Sequence, residues 1–494
     1  MNREKQSSGT LEKWQALGNR QRCHIVAAAR HEIAANCNEL VELCRSAQRT
    51  DPVETLTSEL IPLCAALQFI GRRGPKILRS QHIGFMGRPI WLWGVRSTIE
   101  RVPRGQVLVL AAWNYPLLLP GIQAAQGLAA GNRVFLKPAP GCEAVTELLV
   151  NMFRRAGVPD SVLQLLPSAT ESAIELIDKG VDLVVLTGSS STGRAVLRQC
   201  AEKLTPAILE LSGCDAVIVG KDANIERTAK AIRFGLMFNG GATCIGPRRI
   251  LVADSIKSQL QAQLKHEFTN SPMVVVHEAA FAAVRELVAN TMQRGASNIL
   301  ALAPNPAPID PASFAPIIFD DVQPDWPIAN SDFFAPVASL ITFDADQEAI
   351  DIVNQCCYRL AASVFGAEAW ANSVASQLNV GTITINDLIF PTADPRLPFG
   401  GRGESGFGVT RGALGLIDMT MPRVVANHRG ALFLHLAPKK PGDFDTLANS
   451  LTLTHGRFSE KWTALRRFCR GVKFNADSPP MPLLPTTHPT DKNQ

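Results

Sequence analysis

The sequence predicts an α/β protein built on two doubly wound parallel sheets. Between residues 106 and 204, short apolar runs alternate with helical patterns, as strands and helices alternate in such sheets. The apolar runs that we interpret as strands of the first sheet are 107–112, 134–136, 162–166 and 183–186. A second block with the same alternation extends from residue 211 to residue 410. Its strand candidates are 216–219, 249–252, 273–276, 336–342, 361–365 and 382–386.

The segments outside these two blocks follow other patterns. Residues 10–80 carry apolar residues at helical spacing and predict helices. Residues 84–105 combine β-branched and aromatic residues with Gly and Pro, which predicts a β-hairpin or meander. A basic helix is predicted near the C-terminus, with one apolar stripe formed by Phe458, Trp462, Leu465, Cys469 and Val472. The proline-rich tail after about residue 475 is predicted to be disordered.

Composition narrows the class of protein. Of the 494 residues, 46% are hydrophobic and 19% are charged, which fits a well-buried fold. The net charge of +5 is too small to indicate a nucleic-acid partner. The longest uncharged stretch, from Gln106 to Asn132, is interrupted by Asn and Pro residues, so we expect no membrane-spanning helix. The eleven cysteines are scattered without a C-x-x-C pair, which predicts a reduced, cytoplasmic protein without a metal site.

The most informative stretch is Asn239-Gly240-Gly241-Ala242-Thr243-Cys244. Glycines allow the backbone to turn tightly and a ligand to approach closely. A cysteine that follows such a turn can place its sulfur in a cleft beside a backbone N–H, as a thiolate nucleophile requires. The alternative is a small buried apolar residue, which is the commoner role of a cysteine.

Two other polar residues have positions suited to catalysis. Glu210 lies in the apolar run Leu209-Glu210-Leu211, where desolvation would raise the pKa of its carboxyl and favour a general base. A structural carboxylate paired with an arginine is the alternative for Glu210. Asn114 follows a strand-like run, and its side-chain amide could donate to an oxyanion. Turn formation is the alternative for Asn114.

A nucleotide site is suggested by the ends of two predicted strands. The loop from Gly188 and Ser189 to Gly193 joins a strand to a helix, where N–H groups at the helix N-terminus favour phosphate. Lys137, at the end of another strand, could reach a ribose hydroxyl or a phosphate. A plain tight turn and a solvated lysine are the corresponding alternatives.

Taken in order, these segments resemble the aldehyde dehydrogenase superfamily, and the likeness covers roughly residues 10–430. The motifs that carry it are Trp113-Asn114-Tyr115-Pro116, Lys137-Pro138, Thr187-Gly188-Ser189, Glu210-Leu211-Ser212-Gly213, Asn239 to Cys244 and Pro398-Phe399-Gly400-Gly401. Glu210 and Cys244 are 34 residues apart, which suits the family. The short N-terminal lead is most similar to the class 3 branch, which acts on aromatic and fatty aldehydes.

The resemblance implies catalytic roles for three residues. Cys244 matches the nucleophile, which would attack an aldehyde to give a thiohemiacetal and then a thioester. The amide of Asn114, with the N–H of Cys244, matches the oxyanion hole. Glu210 matches the base that activates water to hydrolyse the thioester.

The resemblance also implies the coenzyme, NAD or NADP, and its contacts. Lys137 matches the adenosine-ribose contact, and Asp332 and Phe334 match the contacts to the nicotinamide ribose and ring. The residues expected to contact the coenzyme are Trp113, Lys137, Gly188, Ser189, Gly193, Asp332 and Phe334.

Five positions depart from the family pattern. Ser212, Ala242 and Ala335 replace the usual Gly, Gln and Gly, and Asp332 replaces a Glu that is one methylene longer. Pro140 stands where many members have a Glu that bonds the adenosine ribose, so NADP could be accepted as well as NAD. These changes support one alternative to an active aldehyde dehydrogenase, a non-catalytic binding or scaffold protein. A separate alternative is a relative that transfers the acyl group to CoA or phosphate, against which Glu210 argues.

By family likeness we expect a homodimer that acts on a small-molecule aldehyde. The expected domains are a Rossmann-like coenzyme-binding domain (1–83 and 106–209), a catalytic domain (210–410), a small β oligomerisation arm (84–105 and 411–432) and a partly disordered C-terminal extension (433–494). Contact of the basic C-terminal helix with a membrane is the less favoured alternative to docking on protein.

Overall fold

The computed structural model describes residues 2–89, 92, 94–300, 312–429, 433–436 and 438–476. This part of the chain divides into two compact units. The first unit consists of the residues up to Gln81 and of Ile99–Arg423. The second consists of His82–Thr98 and the described residues from Val424 onward. The boundaries predicted between coenzyme-binding, catalytic and oligomerisation segments stay predictions.

Helices and strands alternate along most of the chain. The helices are α1 (Asn2–Ala16), α2 (Asn19–Ala35), α3 (Cys37–Leu43), α4 (Pro52–Thr55), α5 (Ile61–Ile77), α6 (Leu118–Ala129), α7 (Glu143–Arg155), α8 (Thr170–Lys179), α9 (Ser190–Ala201), α10 (Ile225–Met237), α11 (Lys257–Phe268), α12 (Glu278–Gln293), α13 (Asp346–Gln355), α14 (Glu368–Ala375), α15 (Gly412–Asp418), α16 (Asp443–His455) and α17 (Phe458–Ala476). The strands are β1 (Gln81–Ile83), β2 (Val95–Pro103), β3 (Gln106–Leu110), β4 (Arg133–Lys137), β5 (Leu163–Leu165), β6 (Leu183–Gly188), β7 (Ala207–Leu211), β8 (Asp215–Val219), β9 (Pro247–Ala253), β10 (Val274–Val275), β11 (Ser297–Asn298), β12 (Ser313–Phe314), β13 (Ile317–Asp320), β14 (Val337–Phe343), β15 (Tyr358–Arg359), β16 (Ala361–Phe365), β17 (Thr382–Ile385), β18 (Arg402–Gly403), β19 (Gly406–Phe407) and β20 (Thr420–His428).

The first large sheet has the strand order β19-β7-β6-β3-β4-β5 in the described residues. Its strands β3 to β7 run parallel, and β19 pairs antiparallel with β7. Both faces are covered, since Val107 and Val109 pack into one core cluster and Leu108 and Leu110 into another. Burial on both faces explains why these strands read as continuous apolar runs rather than as alternating ones.

The register of this sheet brings the ends of its parallel strands to one edge. Leu110 is level with Lys137, and Thr187 is level with Glu210. Ligands of open α/β sheets bind outside the carboxyl ends of the strands. The candidate residues that follow these strands therefore lie at the edge where a ligand would bind.

The second large sheet has the order β11-β13-β14-β9-β8-β16-β17 in the described residues. All of its strands are parallel except β11, which is antiparallel to β13. It is also covered on both faces, since Ala216 and Ile218 pack into one cluster and Val217 and Val219 into another. The predicted α/β class with two parallel sheets is confirmed.

The strand candidate at 273–276 is confirmed as β10, which pairs with β12 in a separate two-stranded ladder outside the second sheet. The hairpin or meander predicted within 84–105 was wrong. Within 84–105 the structure has β2 without a hairpin partner from the same segment among the described residues. Instead β2 is the middle strand of a small sheet with the order β1-β2-β20, so its partners come from outside the predicted segment.

The segment Pro52–Ile77 is long and apolar enough to cross a membrane by length and composition, which the sequence prediction did not anticipate. Half of its most apolar window is buried inside the protein. Leu63, Leu67 and Ile70 of this segment lie in a core cluster of the first unit. This packing is what a core helix of a globular domain shows.

The second unit contains the C-terminal helices α16 and α17, which contact each other. The predicted stripe on α17 is largely exposed: Phe458 is 92% and Trp462 64% exposed, whereas Ala464 is buried. The side chain of Val472 and the tail from residue 477, predicted to be disordered, lie outside the described residues.

Candidate active site

Cys244 follows a tight turn whose glycines are required by geometry. The turn Phe238–Gly241 comes directly after α10, and Asn239, Gly240 and Gly241 all have positive φ angles, of 52°, 60° and 74°. A Cβ atom on Gly241 would lie 2.6 Å from the carbonyl carbon of Ala335. A residue larger than glycine would therefore push the Cys244 loop away from the segment that carries Asp332.

Arg248 holds this loop from inside the protein. Its side chain is fully buried, and Nη2 donates to the carbonyl oxygens of Gly241 at 2.8 Å and Thr243 at 3.3 Å. The backbone on both sides of Ala242 is fixed in this way. Sequence reasoning missed this residue, although an arginine directly after Gly-Pro in the Cys244 segment was visible.

The structure brings Asn114 to the Cys244 loop. Asn114 is buried, and its Nδ2 donates to the carbonyl oxygen of Ala242 at 2.9 Å. The side chain of Asn239 donates to the carbonyl oxygen of Asn114 at 2.8 Å. The next residue, Tyr115, shares a 2.7 Å hydrogen bond with the hydroxyl of Thr243. The side-chain amide of Asn114, which is predicted to form part of the oxyanion hole, thus contacts the loop at Ala242. Ala242 lies two residues before the predicted nucleophile, Cys244.

A buried ion pair supports Asn114 from behind, and sequence reasoning did not find it. Arg49 and Glu59 pair in the interior, where their side chains are 5% and 0% exposed. Arg49 also donates to the carbonyl oxygen of Asn114 and, at 3.1 Å, to Oδ1 of Asn239. Glu59 accepts a hydrogen bond from the backbone N–H of Leu118 at 2.6 Å. No local pattern signals this pair, because its partners lie far from the motif in sequence.

Glu210 lies near the end of β7 and is buried. Thr410 donates to its Oε2 at 2.7 Å, whereas Oε1 has no hydrogen-bond partner among the described residues. Burial raises the pKa of the Glu210 carboxyl, and the positive charge of Arg411 and the bond from Thr410 oppose this rise. A carboxyl with a raised pKa is suited to general-base chemistry near neutral pH.

Cys244 is partly buried. The pKa of its thiol is raised to about 12, first by burial and then by the carboxylates of Glu210, Asp215 and Asp332, whereas the charge of Arg411 opposes this rise. The apo site on its own therefore disfavours the thiolate that nucleophilic attack needs.

A large cavity of about 870 Å³ lies at the carboxyl edge of the first sheet. This volume is within the range of about 300–1,000 Å³ that ligand pockets occupy. Nine of the ten predicted site residues line it: Trp113, Asn114, Lys137, Gly188, Ser189, Glu210, Cys244, Asp332 and Phe334. We call it the large cavity below.

Two features of the lining of the large cavity are suited to a dinucleotide. The helix α9 begins in this lining, and the side chain of Ser189 accepts a hydrogen bond from the N–H of Thr192 at 3.2 Å. The N–H groups of a helix start are favourable partners for phosphate. The lining also contains aromatic rings: the centre of the Trp113 ring lies 4.5 Å from that of His277 and 5.8 Å from that of Phe334.

The charged coenzyme-contact candidates are positioned as follows. Lys137 is half-buried, its Nζ donates to the carbonyl oxygen of Pro138 at 3.2 Å, and burial lowers its pKa. Burial raises the pKa of Asp332, while a hydrogen bond from Ser212 opposes the rise. Two of the positions that depart from the family pattern, Ser212 and Asp332, are thus in contact with each other.

Gly193 lies in a helix rather than in a loop, and its contact with the coenzyme stays a prediction. The helix α9 begins at Ser190, four residues earlier than predicted, so Gly193 lies inside its first turn and does not line the large cavity. A Cβ atom on Gly193 would lie 2.8 Å from Cδ1 of Leu211. This glycine allows α9 to pack closely on β7.

A second, small cavity of about 80 Å³ lies on the other side of Cys244. Its lining is mostly apolar and aromatic: Pro62, Tyr115, Leu118, Leu119, Phe234, Phe238, Ile245, Ile389, Phe390 and Phe399, with Thr57, Ser58, Thr243, Thr392, Ala393 and Arg411. Cys244 lines both cavities. We call this one the small cavity below.

The part of the chain that the structure describes holds no group of three or more His, Cys, Asp or Glu residues arranged to bind a metal.

Comparisons with known proteins agree with this arrangement. The family model "Aldehyde dehydrogenase family" matches residues 4–425. The chain belongs to the aldehyde dehydrogenase family. It is therefore an oxidoreductase that uses NAD or NADP, as predicted.

Individual relatives show the extent of the likeness. The chain is 30% identical to a 4,4'-diapolycopene aldehyde oxidase of Methylomonas sp, over 87% of this chain and 81% of that protein. It is 33% identical to a benzaldehyde dehydrogenase [NAD(+)] of Pseudomonas putida, over 64% of this chain and 66% of that protein. A solved aldehyde dehydrogenase of Mycobacterium tuberculosis, complexed with NAD+, has a TM-score of 0.78 and 27% identity, covering 85% of this chain and 88% of that one.

Proposed function

We propose that this aldehyde dehydrogenase oxidises apolar aldehydes to carboxylic acids through a thioester on Cys244. One observation carries the proposal: Cys244 lies where the large and the small cavity meet. An aldehyde in the small cavity and a dinucleotide in the large cavity would both reach its sulfur.

In the first step the thiolate of Cys244 attacks the aldehyde carbonyl carbon and forms a thiohemiacetal. The carbonyl oxygen becomes an oxyanion, for which the Nδ2 of Asn114 and the N–H of Cys244 are the proposed donors. Nδ2 lies 2.9 Å from the carbonyl oxygen of Ala242, so the amide is already held at this loop. One such donor contributes about 3 kcal/mol to the stability of the transition state.

In the second step the thiohemiacetal is oxidised to a thioester. The nicotinamide coenzyme, when bound, supplies the chemistry of accepting the hydride. Lys137, Ser189 and Asp332, which line the large cavity, are the proposed residues that hold and orient it.

In the third step Glu210 takes a proton from water, whose oxygen attacks the thioester carbon. The C–S bond breaks, the carboxylic acid leaves and the thiolate of Cys244 is restored. The raised pKa of the Glu210 carboxyl suits this task. An acyl transfer to CoA would not need this base, so Glu210 supports hydrolysis over CoA acylation.

The small cavity supports an apolar substrate. Phe234, Phe238, Phe390 and Phe399 contribute aromatic rings to it, and Phe390 is 70% exposed at its edge. We therefore propose medium- or long-chain or aromatic aldehydes as substrates. Membership of the class 3 branch stays a prediction.

The coenzyme preference is also a proposal. Pro140 lines the large cavity and carries no charge at the position where many members have a carboxylate. Without that carboxylate a 2′-phosphate meets less repulsion, so we propose that NADP is accepted beside NAD.

The proposed assembly is a cytoplasmic homodimer. The strand β20 lies at the edge of its small sheet, with Val424 66% and Val425 44% exposed, and could pair with a second copy. For the stripe on α17 we propose a protein surface as the contact, with an anionic membrane as the less favoured alternative. Light scattering after size exclusion tests the dimer, and flotation with anionic vesicles tests the membrane.

A panel of apolar aldehydes, with formation of NADH and NADPH followed by absorbance, tests the function. We expect turnover by the wild type, and a loss of about 10³-fold or more in Cys244→Ala, since nothing replaces the nucleophile. The matched control is Cys357→Ala, which removes an exposed thiol and should retain activity.

Two results would contradict the proposal. Tight coenzyme binding without turnover of any aldehyde would favour a non-catalytic binding protein. An acyl-CoA product, formed only when CoA is added, would favour the acylating alternative.

A further inference from the structure

Arg411 places a cation in the otherwise apolar small cavity. Its backbone has a φ of 61°, a conformation that costs a non-glycine residue energy and persists where the surroundings hold it. Its N–H donates to Oε1 of Gln126 at 3.2 Å, which fixes the segment. A residue held in this conformation at a cavity wall is a candidate for a role in the site.

The guanidinium of Arg411 has an N–H group that forms no hydrogen bond with the described residues. It lies 4.6 Å from the centre of the Phe399 ring, and Nη1 donates to the carbonyl oxygen of Thr392 at 3.3 Å. Its Nε is buried and has no hydrogen-bond partner among the described residues. No carboxylate forms an ion pair with Arg411 in that part of the chain.

Phe399 connects this cation to the nucleophile. The side chain of Cys244 packs against the cluster formed by Ile245, Leu360 and Phe399, and Arg411 lies over the ring of Phe399. Cys244 and Arg411 also line the same small cavity. The preceding residue, Thr410, donates a hydrogen bond to Glu210. Two adjacent residues therefore contact Glu210 and line the small cavity beside Cys244.

We propose that Arg411 is the cation that stabilises the thiolate of Cys244 in this chain. The inference rests on the proposed role of Cys244 as nucleophile. It gives the sulfur of Cys244 a positive charge that opposes the carboxylates around it.

Other charged and titratable groups also lie around the sulfur. Glu210, Asp215 and Asp332 face it with negative charge from β7, β8 and the segment before β14. Tyr115 donates to or accepts from Thr243 and carries no positive charge. Arg248 is a second cation that interacts electrostatically with Cys244. Its guanidinium donates to carbonyl oxygens of Gly241, Thr243 and Ala335, and Arg248 does not line the small cavity, so Arg411 is the cation on the side of the proposed substrate.

The test measures the thiol without turnover. The apo enzyme is treated with iodoacetamide from pH 6 to pH 10, and modification of the Cys244 peptide is followed by mass spectrometry. In this reaction a C–S bond forms, iodide leaves, and the thiol proton goes to the buffer. At a fixed pH we expect the rate for Arg411→Met to be about tenfold below wild type, equivalent to one pKa unit. Arg411→Lys should retain most of the wild-type rate, because it keeps the charge.

Both variants keep an unbranched side chain at the strained position, and the bond from the backbone N–H to Gln126 does not depend on the side chain. Circular dichroism and coenzyme binding establish that they are folded. A rate for folded Arg411→Met within twofold of wild type at every pH overturns the inference. So does an unchanged rate combined with a tenfold higher KM for a carboxylate-bearing aldehyde, which would assign Arg411 to substrate binding. Neither result bears on whether Cys244→Ala is inactive, so failure of the inference and failure of the proposed function are distinguishable.

Discussion

The large and the small cavity meet at Cys244 but are built in different ways. The large cavity is formed mainly where parallel strands end, by residues such as Lys137, Gly188 and Glu210. The small cavity is formed by helices, turns and loops from distant parts of the chain, including Leu118, Phe234 and Phe390. A regular sheet positions the first, whereas tertiary packing alone positions the second.

This difference fits the different tasks that we propose for the two cavities, coenzyme binding in the large one and substrate binding in the small one. Strand ends of one sheet offer fixed backbone and side-chain groups, which suits a coenzyme that all members of the family share. Loops tolerate substitution, which suits a substrate that differs between members. We therefore expect changes at the large cavity to affect chemistry, and changes behind the small cavity to affect stability and specificity.

The largest effect that would sharpen this comparison is expected from Glu210→Gln. Loss of the base should lower steady-state turnover by about 10²–10⁴-fold, the range typical of a positioned acid or base. The thiohemiacetal would still be oxidised, so stopped-flow absorbance should show a burst of reduced coenzyme equal to the enzyme concentration. Absence of the burst would mean that Glu210 acts before the thioester forms.

The pH dependence of turnover, compared between the wild type and Glu210→Gln, is a second test of the role of Glu210. Burial raises the pKa of Glu210 above its usual value, so the reactive carboxylate is lost as pH falls through that raised pKa. Wild-type turnover should therefore fall on the acidic side, and Glu210→Gln should lack this limb. A Gln variant that retains the limb would assign it to another group, such as Cys244.

The large cavity could be predicted from the sequence because its residues follow recognisable strands. Continuous apolar runs marked β3, β4 and β6, and the residues after them line the large cavity. The strand β7 was less clear, since Glu210 interrupts its apolar run, yet the family motif placed it correctly beside the cavity.

What the sequence could not predict depends on contacts between distant residues. In the sequence, Arg49 and Glu59 cannot be distinguished from ordinary surface charges. In the fold both are buried, and Arg49 donates to the carbonyl oxygen of Asn114. Arg411 follows the glycine-rich segment, but its position over Phe399 depends on packing. The start of α9 was misplaced because Ser189 caps a helix whose first turn resembles a loop in composition.

A smaller effect, on stability rather than chemistry, is expected from Glu59→Gln. Removing one partner of a buried ion pair leaves an uncompensated charge and costs about 3–5 kcal/mol of unfolding free energy. Urea denaturation measures this change. The matched control is Glu226→Gln, which breaks the exposed pair of Glu226 with Lys230 and should leave the denaturation midpoint nearly unchanged. An equal, small effect in both variants would mean that Arg49 is held by Asn114 and Asn239 without the carboxylate.

The smallest effect is expected from Gly193→Ala, and it tests the corrected position of this glycine. The new Cβ would press on Cδ1 of Leu211, and overpacking of this kind costs about 1–3 kcal/mol. Alanine inside a helix recovers about 1 kcal/mol relative to glycine, so the net loss in unfolding free energy should be small. Because Gly193 does not line the large cavity, coenzyme affinity should change less than about fivefold, equivalent to about 1 kcal/mol.

The matched variant is Gly241→Ala, where the Cβ meets backbone atoms of Ala335 and Pro336 and φ is 74°. Leu211 is a flexible side chain and can move, but the Ala335–Pro336 backbone cannot move without displacing the Cys244 loop. Gly241→Ala should therefore lose most of its turnover while Gly193→Ala keeps it. If fluorescence titration instead showed a much larger loss of coenzyme affinity in Gly193→Ala, the first turn of α9 would itself contact the coenzyme. In that case the close packing of α9 on β7 would not be the main reason for a glycine at this position.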